Sequence, residues 1–273
     1  MQLPGCRDVQ LYAQAWLPER ELRAVVVISH GLAEHSGRYA PLAARLVDRG
    51  YAVYALDHRS HGRSSGHRAN IDRFAYLVSD LGTFVGRAQR QHPDASTFLL
   101  GHSMGGAIAL ACALRNAGAL KGLVLSSPAL AAGQAVPRFK ALVVRMLSRF
   151  SPNTGALTLP AAAISRDPAV VQAYETDPLV YRGAVPARTL VELLDAMAMF
   201  PVAAPGLKLP VLVQHGTADS LVPVAATRPI YDRLGNPKHR TVRLYDRLFH
   251  EAYNEPERDQ VIADLEAWLE RHR

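Results

Sequence analysis

Short apolar runs alternate with segments of helical period from one end of the chain to the other. That pattern is expected when helices connect the strands of a largely parallel sheet and cover both its faces. Ala24-Val25-Val26-Val27-Ile28-Ser29-His30 and Tyr51-Ala52-Val53-Tyr54-Ala55-Leu56-Asp57 are nearly unbroken apolar runs and read as strands buried on both sides. Between them Leu42, Ala43, Leu46 and Val47 recur at helical spacing, and Gly50 is placed to end that helix. The three pieces form one βαβ unit. From Asp72 a second helix carries Phe74, Leu77, Val78, Leu81, Phe84, Val85 and Ala88 along one stripe and stops before Pro93. Further strands are expected at 96–100, 120–126, 211–215 and 241–245, with edge strands within 9–17. A closing helix begins near Pro256 and buries Val261, Leu265, Trp268 and Leu269.

The stretch between the strands at 120 and 211 is far longer than an ordinary crossover, so a unit is inserted there. Residues 129–205, rich in Ala, Pro and short helical pieces, read as a cap. The remaining segments, 1–128 and 206–273, make the core. Within the cap, 137–150 interleaves Phe139, Leu142, Val143, Met146, Leu147 and Phe150 with Lys140, Arg145 and Arg149. Two readings stand for it: a lipid-facing lid, or a helix packed inside the cap.

Composition narrows the function classes. With 49% hydrophobic and 20% charged residues the chain is ordinary globular protein. No run approaches the roughly 18 consecutive apolar residues of a spanning helix. The net charge is +7. Lysine occurs only at Lys121, Lys140, Lys208 and Lys238, and the arginines form no block, which argues against nucleic acid and leaves two readings, a compositional bias toward arginine first and transient contact with an acidic membrane surface second. Cys6 and Cys112 match no metal spacing and read as structural. The N-terminal residues carry no basic region followed by an apolar run, so a cytoplasmic location is expected, with peripheral membrane contact.

The chemistry is concentrated in Gly101-His102-Ser103-Met104-Gly105-Gly106, a GxSxG between an expected strand and an expected helix. Glycines two residues either side of the serine permit a sharp strand-to-helix turn that lifts its hydroxyl out of the sheet. Ser103 is therefore the candidate nucleophile. In a parallel sheet its partners must sit at the carboxyl ends of strands, in chain order serine, acid, histidine. Of eleven histidines, two lie beyond the last strand; His272 is at the frayed terminus, and His250 follows a short loop and leaves room for an intervening acid. Asp219, in the loop after the strand at 211, is the candidate acid. Asp246, four residues before His250, reads as a turn residue, and Asp195 falls in the cap. Two backbone N–H groups are needed for the oxyanion, and Met104 and Leu32 are expected to supply them. His58 and His61 fit no zinc pattern, and no metal or organic cofactor is expected.

Taken with the elbow, the segments from His30-Gly31-Leu32-Ala33-Glu34-His35-Ser36-Gly37-Arg38-Tyr39, Asp57-His58-Arg59-Ser60-His61-Gly62-Arg63-Ser64 and His250-Glu251-Ala252-Tyr253-Asn254-Glu255-Pro256-Glu257 carry a resemblance. The chain resembles the monoacylglycerol lipases of the α/β-hydrolase superfamily, most closely the bacterial ones, over nearly its whole length. Ile164-Ser165-Arg166-Asp167-Pro168, Tyr174 and Asp177-Pro178-Leu179 are similar to that family's cap. The resemblance implies an α/β-hydrolase fold with an inserted helical cap, the triad Ser103, Asp219 and His250, and oxyanion donors Leu32 and Met104. It further implies that Glu34, Arg38 and Tyr174 surround the glycerol end of a lipid ester, cleaved through an acyl-serine. A lysophospholipase or a broad short-chain carboxylesterase remains the alternative. Two departures stand out. Many relatives have glycine where this chain has Ala33 and Ser60, and Tyr253 replaces a polar group that some place three residues after the histidine.

Overall fold

The computed structural model describes residues 1–115, 118, 120–132 and 138–273, with side chains in the last stretch from Leu142 onward. The first half runs β1 (Gln2–Pro4), β2 (Gln10–Trp16), β3 (Ala24–Ser29), α1 (Ala40–Asp48), β4 (Tyr51–Leu56), α2 (Phe74–Gln91), β5 (Thr97–His102), α3 (Met104–Arg115) and β6 (Gly122–Ser126). Then come α4 (Arg138–Phe150), β7 (Gly155–Leu157), α5 (Pro168–Thr176), β8 (Val185–Pro186) and α6 (Ala187–Ala203). The chain closes with β9 (Val211–Gly216), α7 (Val224–Tyr231), β10 (Arg240–Tyr245) and α8 (Arg258–His272).

Eight strands form one sheet in the order β1-β2-β4-β3-β5-β6-β9-β10. From β4 to β10 every neighbour is parallel, and β1 and β2 are antiparallel additions at one edge. Successive strand side chains point to opposite faces. Accordingly Val25 and Val27 pack with Leu77, Leu81, Phe84 and Ile108 of α2 and α3. Val26 and Ile28 pack on the other face with Leu42 and Leu46 of α1 and Leu265 and Trp268 of α8. Burial on both faces is why these strands lack a polar alternation.

Between β6 and β9 lies the insertion, where β7 and β8 form a separate antiparallel pair. Its longest element, α6, has 17 residues, whereas the sequence suggested only short pieces because prolines punctuate the segment. The Ala187–Gly206 stretch is long and apolar enough to cross a bilayer by length and composition. Here it is riveted to the core. Thr189 Oγ1 accepts the Ile71 N–H at 2.8 Å and donates to the Ala69 carbonyl at 2.7 Å. Glu192 Oε2 accepts the Phe74 N–H at 2.9 Å, satisfying a free amide at the start of α2. On α4, Leu142, Val143, Met146 and Phe150 are exposed, Phe150 by 74%. The side chains of Phe139 and Lys140, and Pro137 altogether, lie outside the described residues.

Candidate active site

β5 ends and α3 begins across a turn whose single intervening residue, Ser103, has φ +52°. A Cβ at Gly105 would run into the Ser29 and His30 carbonyl oxygens of the neighbouring strand end, so only glycine permits this close passage. The Ser103 amide donates to the Ser126 carbonyl at 3.0 Å, which pins the turn to the end of β6.

β9 delivers Asp219 and β10 delivers His250. A Cβ at Gly216 would collide with the Leu248 and Phe249 carbonyls, so glycine there lets the loop after β10 lie against the end of β9. The Ala218 N–H donates to the Leu248 carbonyl at 3.0 Å and fixes that approach. Asp219 Oδ1 then accepts the Leu221 and Val222 amides, each at 2.9 Å, and its Oδ2 accepts His250 Nδ1–H at 2.7 Å. Burial works to raise the Asp219 pKa, but the charge of His250 and hydrogen bonds from His215 and His250 outweigh it and hold the carboxyl well below its ordinary range. Burial likewise works to lower His250, and the Asp219 carboxylate beside it wins, leaving the imidazole above its ordinary 6.5. With Nδ1 occupied by the carboxylate, Nε2 is the nitrogen left for a nucleophile.

Ser103, His250, Leu32 and Met104 line one cavity of about 200 Å³. Among the described residues the Leu32 and Met104 amides donate to no protein acceptor, as an oxyanion site requires before substrate arrives. Cap side chains Leu157, Leu159, Leu190, Leu193, Leu194 and Met197 supply an apolar wall. Glu34, His102 and Glu251 also line it, and they are shared with a smaller adjoining recess bounded by Arg38, Tyr39, Tyr253 and Asn254. One stretch of wall is therefore apolar and another charged.

The charged part is tightly organised. Arg38 donates two hydrogen bonds to the Glu251 carboxylate, at 2.5 and 2.8 Å, and one to Glu34 Oε2 at 2.9 Å. Glu34 Oε1 accepts the Gly31 N–H at 2.6 Å and the Tyr39 O–H at 2.8 Å. The Arg38 guanidinium also lies over the Tyr174 ring, 4.9 Å from its centroid. Burial pushes toward protonating Glu251, but Arg38 holds its pKa below the ordinary value. Burial and Glu34 push the Tyr174 hydroxyl up to about 12, so it stays a neutral O–H.

The family model described as serine aminopeptidase, S33, matches residues 20–257. A monoacylglycerol lipase of Mycolicibacterium smegmatis is 40% identical over 268 residues, covering 98% of this chain and 95% of that protein. The chain belongs to the monoacylglycerol lipase family of α/β-hydrolases. The family extends to human monoglyceride lipase, 33% identical over 95% of this chain and 86% of that one. Among solved structures, the monoacylglycerol lipase of Paleococcus ferrophilus superposes with a TM-score of 0.84 at 31% identity, covering 96% of this chain and 99% of its own. Membership makes the protein a serine hydrolase.

Ser103, His250, Leu32, Met104, Glu34 and Tyr174 line this cavity, Arg38 bounds the adjoining recess, Asp219 holds His250, and the rival acids lie elsewhere. Asp246 is exposed beside Thr217, and Asp195 is exposed on α6, paired with Arg145. Ala33 and Ser60, where many relatives carry glycine, adopt φ +69° and +66°. For a residue with a Cβ, that left-handed conformation costs about 1–2 kcal/mol. Hydrogen bonds offset it: the Ala33 carbonyl accepts the Tyr181 N–H from the cap at 2.8 Å, and Ser60 bonds through both backbone groups to Ser65 and Ala69 at 2.9 Å. Tyr253 turns its hydroxyl away from the recess, donating to Gln214 Oε1 at 2.5 Å.

Sequence reasoning missed Glu251. Its only signal was a carboxylate immediately after the candidate base. Also missed was the bracing of the loop that carries Leu32: His30 Nδ1–H donates to the Gly31 carbonyl at 2.7 Å, and His30 Nε2 accepts the His58 N–H at 2.8 Å. Burial drives the His30 pKa down to about 4 and His61 to about 3, so these packed rings are neutral struts.

Proposed function

We propose that the protein hydrolyses monoacylglycerols to fatty acid and glycerol through an acyl-Ser103 intermediate. The observation that carries this is the divided cavity wall: leucine-rich where the cap closes it, charged around Glu34, Arg38 and Glu251, with Ser103 and His250 opening onto the same space. His250 takes the Ser103 proton as Oγ attacks the ester carbonyl. Asp219 stabilises the imidazolium, and the Leu32 and Met104 N–H groups receive the developing oxyanion. Collapse expels glycerol, protonated by His250. Water activated by the same imidazole then releases the acid. Glu34, already held by Gly31, Tyr39 and Arg38, is an acceptor fixed in place for a glycerol hydroxyl.

A site walled for one chain and one small polar head rejects bulkier esters sterically. On matched substrates of equal chain length, kcat/KM is therefore expected to be highest for the monoacylglycerol and lower for di- and triacylglycerol. Comparable turnover of triacylglycerol would sink the assignment, and a preference for the lysophospholipid would make this a lysophospholipase. Glu34→Ala should narrow the advantage of monoacylglycerol over a simple ethyl ester by about tenfold, the size of one hydrogen bond to a charged group.

We also propose that the outer face of the cap rests on a membrane surface. The support is the exposure of Leu142, Val143, Met146 and Phe150 on α4, with Arg145 and Arg149 among them, and of Met199 and Val202 on α6. Replacing Leu142 and Met146 by Ser is expected to weaken binding to anionic liposomes at least tenfold, at about 0.8 kcal/mol per buried CH₂. Turnover of a soluble short-chain ester should change less than twofold. Equal losses on both would assign α4 to packing instead.

A further inference from the structure

The acid of the triad is gripped by a second imidazole that the mechanism does not use. His215, wholly buried at the end of β9, places its Nε2 2.9 Å from Asp219 Oδ2, the same oxygen that receives His250 Nδ1–H at 2.7 Å. On its far side, His215 Nδ1 is 2.6 Å from the Tyr231 hydroxyl of α7. Asp219 is an ionised carboxylate and can only accept, so the proton of a neutral His215 must sit on Nε2. Nδ1 is then an acceptor, and Tyr231 donates to it. Burial keeps the Tyr231 pKa far above its ordinary value, so that donor is permanent. The result is a directional chain: Tyr231 O–H to His215, His215 N–H to Asp219, and Asp219 between two imidazoles.

We propose that His215 is a positioning residue for the triad, holding the Asp219 oxygen used by His250 and drawing off part of its negative charge. The inference rests on the triad reading above. Two amides already fix Oδ1, and His215 fixes Oδ2, so the carboxylate cannot pivot away from His250. Sharing Oδ2 between two donors also weakens its pull on the His250 proton. The other groups facing His250 are His102, whose ring centroid is 4.7 Å away, and the carboxylates Glu251 and Glu34. His102 is neutral, with its pKa lowered by burial and by His250 to about 4, and both carboxylates are engaged by Arg38. Facing Asp219 are His250, His215 and, beyond it, Tyr231. His215 is thus the neighbour whose removal changes the charge on Oδ2 directly.

The test contrasts two substitutions. The amide nitrogen of Gln sits near the place of an imidazole Nε2, so His215→Gln keeps a donor for Asp219. That of Asn sits near Nδ1, so His215→Asn keeps polarity and loses the donor. For His215→Asn, kcat on a soluble ester is expected to fall about tenfold, with KM within about twofold, from loss of one hydrogen bond to a charged group. The acid limb of kcat/KM should move to higher pH by about half a unit, because Oδ2 then acts on His250 alone. His215→Gln should restore most of both. If the limb stays or moves down, or if Gln falls as far as Asn, the proposal is overturned and His215 is a packing residue. Should His215→Asn not fold, the parent decides by ¹⁵N NMR of its imidazoles. A proton on His215 Nε2 while His250 titrates supports the proposal, and a proton on Nδ1 overturns it. The parent's turnover, with its loss in Ser103→Ala, tests the triad reading separately, since neither the Asn–Gln contrast nor the tautomer enters it.

Discussion

Ser103→Ala is expected to lower ester turnover by at least about 10⁴-fold and to abolish covalent labelling by a fluorophosphonate. Folding should be unaffected, because the substitution deletes one oxygen at a position whose turn is set by the glycines around it. Retained labelling in the alanine variant would mean that another residue is the nucleophile. On the proposed mechanism, His250 of the parent must be neutral to accept the serine proton, and Asp219 holds its pKa above 6.5 despite burial. Activity should therefore fall as the pH drops through a limb lying above 6.5. Asp246→Asn, by contrast, should keep most activity and the same limb, since that carboxylate is exposed and away from His250.

Arg38→Met is expected to cost about 3–5 kcal/mol of stability at pH 7.5, the penalty for leaving buried carboxylates without their counter-charge. Methionine preserves much of the volume over Tyr174, so loss of packing contributes little. The sign of the pH dependence follows from Glu251, whose folded pKa lies below its ordinary value because Arg38 overcomes the effect of burial. In the parent, its stabilisation is present above the unfolded pKa near 4.5 and is lost as pH falls through the lower folded one. In the variant, Glu251 lacks the guanidinium and protonates more readily, so the gap to the parent should narrow as pH falls toward 5. Urea unfolding at pH 7.5 and at pH 5 measures this. A loss under about 1 kcal/mol at pH 7.5 would put the cluster in the class of solvated surface pairs.

The strands were legible because each inner one is buried on both faces, leaving an unbroken apolar run. Ser103, Asp219 and His250 could be singled out because topology sends every strand end to one edge, and chain order then leaves few combinations. Arg38 and Glu251 illustrate what was not legible. They are 213 residues apart and become partners only when the loops after β3 and β10 meet. Nothing local marks such a pair. The left-handed conformation of Ala33 was signalled only by the glycine that many relatives carry there: local chemistry argues against it, and a hydrogen bond from Tyr181 in the cap helps to sustain it. The length of α6 was hidden by Pro201, which local reasoning treats as a breaker and which the helix tolerates near its end.

The cap is built in two tiers of unequal attachment. Residues 174–181 and α6 are tied to the catalytic frame through Ala33, His35, Ala69, Ile71 and Phe74. The stretch from α4 to β7 rests instead on that lower tier, through Arg145 with Asp195, Ser148 with Arg188, and the Pro152 and Thr154 carbonyls with the start of α6. One described hydrogen bond, Asn70 to Asn153, ties it to the core. Descendants of this sequence can therefore diverge in the upper tier as in an interchangeable part. Drift there alters which side chains cover the outer face and how the outer end of the cavity is walled, while Ser103, Asp219, His250 and the Leu32 and Met104 amides keep their register.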